Sequence, residues 1–199
     1  MSLTPASGSP TTLFTHVPEL RDGDLVVRPL TAGDAAAVAA AVPAGEPGAW
    51  EATPGPYTVA QSRAIIERWD DARGRGERLA LAIVDGPDFL GSVVLQRGTP
   101  EAPASGRGDA LEVAYWIRPE ARGRRLTTRA LGRVTTWAGA LPGVRRLWVE
   151  VDPENVASRR AAEKAGYKLT RRMDTGDGDE WPGEVRLIYE RTAGPSTQG

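Results

Sequence analysis

Between Leu111 and Val134 the chain changes its period. Leu111-Glu-Val-Ala-Tyr-Trp-Ile117 is rich in apolar, β-branched and aromatic types and is closed by Pro119, whereas Leu126, Ala130, Leu131 and Val134 recur at helical spacing. The pattern predicts a strand, a tight turn and a helix, so the fold must let a strand feed directly into a helix. The turn is Arg122-Gly123-Arg124-Arg125. A helix start presents unpaired N–H groups and the positive end of the macrodipole, and here arginines crowd onto it. Arg122, Gly123, Arg124 and Arg125, with the first helical residues Leu126, Thr127 and Thr128, read as a cradle for phosphate.

The rest of the chain alternates in the same way. Leu25 to Leu30 reads as a strand, and Thr31 with Asp34 forms a capping-box pattern that opens an alanine-rich helix to about Val42, where Pro43 stops it. Thr58 and Gln61 repeat the box before a helix that fades near Gly74. Leu79 to Val84 and Phe89 to Leu95 are strands joined by Asp85-Gly-Pro-Asp88, a hairpin signal. After the central strand, turn and helix, which runs to about Leu141, come a strand at Arg146 to Val151, a helix ending at Gly166, and strands at 167–170 and 184–189. Residues 1–12 and 193–199 lack apolar periodicity and are expected to be disordered tails around one domain spanning 13–192.

Composition narrows the function. The net charge of −1 gives no global attraction to nucleic acid or to an anionic membrane, so a polyanion partner should be small. With no cysteine and the single His16, zinc lacks its usual nitrogen and sulfur ligands, and no metal site is expected. No basic region followed by an apolar stretch opens the chain, and nowhere do 18 uncharged apolar residues run together. A cytoplasmic protein is expected. The turn lacks the Gly-Lys-Ser/Thr ending of a triphosphatase loop, and no Gly-x-Gly-x-x-Gly follows any strand.

Three stretches together resemble one family: Glu-Val-Ala-Tyr-Trp-Ile at 112–117, Arg-Gly-Arg-Arg-Leu-Thr at 122–127, and Asn155-x-x-Ser158 followed by Ala-Glu-Lys-Ala-Gly-Tyr. They are similar to the GNAT superfamily of N-acetyltransferases, and within it to the branch that acetylates the N-terminal amine of ribosomal proteins. The resemblance covers residues 20–192. It implies an α/β (α+β) fold, a mixed sheet of six to seven strands flanked by helices, whose central strands splay apart. It implies acetyl-CoA as co-substrate, a primary amine as acceptor (a protein N-terminus or a small molecule), and direct attack on the thioester. It is compatible with a homodimer. The alternative is a non-catalytic relative with a degenerate CoA site.

That alternative rests on the turn. The family pattern is Arg or Gln, two residues, Gly, one residue, then Gly or Ala; Arg122 fits the first place, but Arg125 and Thr127 stand where small residues belong. Should position 125 need a positive φ, arginine there adds about 1 kcal/mol of strain or more. With a helical φ, Arg125 instead turns its guanidinium outward or contacts the 3′-phosphate, and Thr127 offers its hydroxyl to a phosphate oxygen.

Glu112 is the one side chain charged at neutral pH in its otherwise apolar strand. Two readings stand for it: a general base for the amine, or a solvated carboxylate at a strand start. By resemblance, the backbone of Tyr115, Trp116 and Ile117 holds the thioester and the pantetheine arm while their side chains serve the core. Asn155 reads as an N-cap; the family places it against pantetheine and Ser158 near the sulfur, as proton donor to the leaving thiolate. Trp50, in an irregular loop, either covers a pocket or plugs the edge of the core, and by resemblance its loop and the loop from Asp174 to Glu184 that holds Trp181 flank the acceptor site. Asp177, Asp179 and Glu180 are either lures for a cationic amine or a solvated turn.

Overall fold

The protein is described here as a computed structural model covering residues 13–42, 56–100, 108–174 and 185–194. In chain order the elements are β1 (Leu20–Asp22), β2 (Leu25–Pro29), a 3-10 turn (Ala32–Asp34), α1 (Ala35–Ala41), α2 (Val59–Gly74), β3 (Arg78–Asp85), β4 (Asp88–Arg97), β5 (Ala110–Ile117), a second 3-10 turn (Pro119–Ala121), α3 (Leu126–Ala138), β6 (Arg146–Val151), α4 (Val156–Lys164), β7 (Lys168–Asp174) and β8 (Val185–Thr192). The strands form one mixed sheet of eight, in the order β1-β2-β3-β4-β5-β6-β8-β7. This is the mixed, helix-flanked sheet that the resemblance implies, with eight strands in place of the six to seven expected. The strand not foreseen, β1, has three residues, too few for an alternating pattern to show.

Helices lie on both faces. Leu111, Val113 and Ile117 of β5 point into the larger core with Leu126, Ala130, Leu131 and Val134 of α3 and Ala162 of α4. Trp116, on the alternate face, packs in a second core with Val38 of α1 and Ile66 and Trp69 of α2. This is the period of two that the sequence of β5 carries.

The caps behave as their residue types dictate. Thr58 accepts from the Gln61 N–H while the Gln61 side chain accepts from the Thr58 N–H, at 3.2 and 2.8 Å. Asp34 accepts from the Thr31 N–H at 2.8 Å, but its box opens a 3-10 turn before α1 begins. The third helix stops at Ala138 rather than Leu141, because Ala140 and Leu141 donate to Trp137 and Ala138, tightening the chain into i+3 bonds beyond the Gly139 cap. Gly166 takes a left-handed φ of 89° after α4.

The sheet itself prepares the site. β5 pairs antiparallel with β4 from Arg97↔Leu111 to Gly91↔Ile117, but runs parallel to β6 only over Ala110↔Arg146, Leu111↔Leu147 and Glu112↔Trp148. Beyond that, β6 pairs with β8 alone, as far as Val151↔Leu187. The two central strands part after Glu112. The ladder of β5 with β4 is unbroken, so the splay arises without a bulge in β5. At the far end β4 and β5 press together: a Cβ on Gly91 would come within 2.2 Å of the Trp116 carbonyl oxygen, which excludes any larger residue there.

Candidate active site

Among the described residues, the β6-facing backbone groups of β5 beyond Glu112 have no strand partner, which leaves a slot between β5 and β6 lined with peptide N–H and C=O groups. Two helices start beside this slot. The crossover from β5 through α3 to the parallel strand β6 brings the N-terminus of α3 to the end of β5. The next connection, from β6, brings in the N-terminus of α4.

At α3 the turn is held by its own arginines. Arg122 Nε donates to the Ile117 carbonyl at 3.2 Å, pinning the turn to the end of β5, and Arg124 reaches Asp85 at 3.6 Å. Gly123 has φ 79°. Arg125 is the N-cap of α3 with φ 61° and ψ 13°, the single non-glycine residue at positive φ among the described residues. This settles the conditional reading of the turn: the conformation is left-handed, so the helical alternative for Arg125 is wrong. An arginine has no oxygen with which to cap a helix, and no side chain caps α3. The N–H groups of Leu126, Thr127 and Thr128, in the first turn, therefore lack an intrahelical acceptor.

At α4, Asn155 is the N-cap: its Oδ1 accepts from the Ser158 N–H at 3.0 Å. The Asn155 amide nitrogen has no hydrogen-bond partner among the described residues. Ser158, in the first turn, has its Oγ 2.8 Å from the Tyr115 hydroxyl, which also lies 3.1 Å from the Ser158 carbonyl oxygen. This corrects the assignment of Tyr115 to the core alone. Its ring packs against the larger core, but the hydroxyl crosses to α4. Burial raises the Tyr115 phenol above its usual range, and the bond to Ser158 offsets part of that. The sequence held a signal for it: Tyr115 shares the face of Val113 and Ile117, and a tyrosine turned inward needs a partner for its O–H.

Glu112 lies on the other face. It alternates with Val113 and shares the face of Ala114 and Trp116, with register partners Gln96 on β4 and buried Trp148 on β6. It is half-buried and sits at the last pair before the strands part. Trp148, which sequence reasoning did not single out, donates from Nε1 to the Gly98 carbonyl at 2.9 Å and ties the segment after β4 to this point. Trp116 and Ile117 are buried core side chains, as expected. Trp50, Trp181, Asp177, Asp179 and Glu180 lie outside the described residues. Among the described residues no group of three or more His, Asp or Glu side chains could hold a metal ion, and no helix is long and apolar enough to cross a membrane.

Solved structures share this fold at low sequence identity. RimL, a ribosomal alpha-N-protein acetyltransferase in complex with coenzyme A, superposes with a TM-score of 0.73 at 15% identity, covering 88% of this chain and 98% of its own. RimJ of Mycobacterium smegmatis, in complex with a CoA-disulfide, gives 0.70 at 19%, covering 89% and 87%. A ribosomal-protein-alanine acetyltransferase from Vibrio fischeri gives 0.72 at 15%, covering 90% and 98%. No curated protein matches the chain in sequence. The family described as the Acetyltransferase (GNAT) domain matches residues 24–168, and this chain belongs to the GNAT acetyltransferases.

Proposed function

We propose that the protein transfers an acetyl group from acetyl-CoA to a primary amine, with a protein N-terminus as the acceptor the fold neighbours favour. The observation that carries this reading is the placement of Glu112 and the Tyr115–Ser158 pair on opposite faces of the sheet at the point where β5 and β6 part. An acceptor can then meet a base on one face while a leaving group meets hydroxyls on the other.

The residues fit the cofactor. The N–H groups of Leu126, Thr127 and Thr128, with the guanidinium group of Arg125 nearby, suit a pyrophosphate, since uncapped helix donors and cations favour anions. The open, β6-facing edge of β5 around Tyr115 and the Asn155 amide suit the amides of a pantetheine arm, by the pairing that adds a strand to an open edge, whereas the Trp116 carbonyl lies against Gly91 of β4 and the Ile117 carbonyl accepts from Arg122. When bound, acetyl-CoA supplies an activated carbonyl and a thiolate leaving group. Glu112 takes the proton that the amine sheds, which matters most for acceptors with pKa near about 10.4 and less for an α-amino group near about 7.7 to 8.0. Backbone N–H groups along the slot stabilise the negative charge that develops on the carbonyl oxygen. Ser158 stands on the side from which a proton reaches the departing sulfur.

The second reading, a non-catalytic module, rests on Arg125 and Thr127. Arg125 nonetheless adopts the left-handed conformation that a glycine would take, so the backbone path of the turn survives its substitution. That favours the enzyme. The test is calorimetric titration with acetyl-CoA, followed by mass spectrometry of peptides with free amino-terminal alanine or serine incubated with it. Micromolar binding and a mass gain at the N-terminus are expected; binding without acetylation of any amine offered returns the non-catalytic reading.

A further inference from the structure

We propose that Tyr115 is a positioning residue for sulfur protonation, acting through Ser158: its phenol donates to Ser158 Oγ and so leaves the serine O–H as a donor toward the slot between β5 and β6. The inference rests on the acetyl-CoA reading above and deepens it.

The geometry carries it. A serine alone is a weak acid, and its hydroxyl rotates among several acceptors. Here the rotor is constrained. Tyr115 rises from β5 on the face that α4 covers, and its oxygen lies 2.8 Å from Ser158 Oγ, a normal O–H···O distance. Among the described residues the phenol proton has one other acceptor, the Ser158 carbonyl oxygen, at the longer distance of 3.1 Å. Ser158 is itself fixed by the Asn155 cap on its N–H at 3.0 Å. With the Tyr115 proton directed at Ser158 Oγ, the serine proton points away from the tyrosine. Burial raises the phenol, so Tyr115 stays protonated, and a donor, throughout the neutral range.

The protons balance. The amine nitrogen bonds to the carbonyl carbon and gives one proton to Glu112; the carbon–sulfur bond breaks with its electron pair on sulfur. Ser158 gives its proton to that sulfur and takes the proton of Tyr115. Water then returns one proton to Tyr115, drawn from the one held by Glu112. Nothing is oxidised or reduced.

The test uses coenzyme A itself as the probe, so it does not depend on knowing the acceptor. The pKa of the bound thiol is read from thiolate ultraviolet absorbance in the unmodified protein, Tyr115→Phe, Ser158→Ala and the double variant, with coenzyme A affinity from calorimetry on each. A donor aimed at sulfur favours the thiolate, so each single variant is expected to raise the thiol pKa by about one pH unit, the size of a hydrogen bond to a charged group. The double variant should raise it no further, because the two hydroxyls act as one chain. Ser158→Thr keeps a hydroxyl and should restore the unmodified value. Coenzyme A affinity within about threefold in all variants shows that the fold is intact. If the phenol instead donated to the carbonyl, Ser158 would donate to Tyr115, and Tyr115→Phe would free the serine and lower the thiol pKa. If coenzyme A binds but the two effects add, or Tyr115→Phe lowers the thiol pKa or leaves it unmoved, Tyr115 does not act through Ser158 and only this proposal falls. If the unmodified protein binds no coenzyme A, the acetyl-CoA reading fails and this inference fails with it.

Discussion

Arg125→Gly separates what the turn costs the fold from what it offers a ligand. Arg125 holds φ 61°, where an L-residue's Cβ crowds the following carbonyl at about 1–2 kcal/mol. Glycine removes that strain but adds backbone freedom to the unfolded chain, a loss of about 0.5–1 kcal/mol. The charge adds a third contribution. A cation at a helix N-terminus opposes the macrodipole by about 0.3–1 kcal/mol, and Arg125 has no ion pair among the described residues to offset it. The side chain is exposed, so no packing is lost. The sum is a net stabilisation of about 1 kcal/mol, or a rise in Tm of about 2–4 °C for a domain of this size.

The assay is thermal unfolding with and without acetyl-CoA. Without ligand the order of stability should be Gly above Asn above Arg above Val at position 125, since Asn tolerates the left-handed region and a β-branched residue does not. With saturating acetyl-CoA the gain from Arg125→Gly should shrink, because phosphates turn the arginine's charge from a liability into an attraction and the ligand shifts the equilibrium by its affinity for the native state. A lower Tm for Arg125→Gly in the absence of ligand would refute the strain argument, whatever happens with ligand present.

Three further outcomes follow from the site and its supports. Glu112→Gln should cut turnover by about 10²-fold while leaving the calorimetric affinity for acetyl-CoA nearly unchanged; equal turnover removes Glu112 from the chemistry. Asn155→Ala deletes the α4 cap and should cost about 1 kcal/mol in urea unfolding without ligand, whereas Asn155→Asp, which keeps a capping oxygen, should retain most of the stability; an alanine variant as stable as the original would show that the cap contributes nothing. Two carboxylates should make the protein acid-sensitive. Hydrogen bonds from Arg129 and then Arg133 hold Asp22 below its usual 3.8, and for Asp34 burial pushes upward but the Arg28 and Thr31 bonds outweigh it. Both are depressed acids, so their stabilisation is complete above about pH 5 and is lost as pH falls through the unfolded value of about 3.9 and on through the lower folded one. Melts from about pH 6 to about pH 3 should show the loss, and Asp34→Asn should flatten it.

Much of this architecture is legible in the sequence, for reasons that differ by element. The two capping boxes, the period of two in β5 and the left-handed Gly166 are local signals, and local signals survive in a single sequence. The splay of β5 from β6 is not local. Leu111 to Ile117 reads as one uniform strand, and only the register with β6, fixed by residues far along the chain, decides that pairing ends at Glu112. Tyr115 falls between these cases. Its face can be read from alternation, but that its oxygen meets Ser158 depends on where α4 docks.

The arginine patch shows the same limit in charge rather than geometry. From Arg118 to Arg133 the sequence suggests a cationic face for a polyanion, yet most of those charges have structural partners. Arg118 pairs with Glu120 at 3.1 Å, Arg124 with Asp85 at 3.6 Å, and Arg129 and Arg133 close on Asp22 at 2.7 and 3.2 Å, tying the β1–β2 hairpin to α3. Counting charges therefore overstates the field. Exposed pairs of this kind contribute about 0–1 kcal/mol each to stability, but they neutralise the patch whether or not they stabilise it. What remains for an anion is directional: peptide N–H groups at the start of α3, which no side chain caps, and Arg125, which the left-handed turn holds out in solvent. Recognition by such donors depends on shape more than on net charge, so the chain's charge of −1 does not count against the proposed acetyl-CoA site.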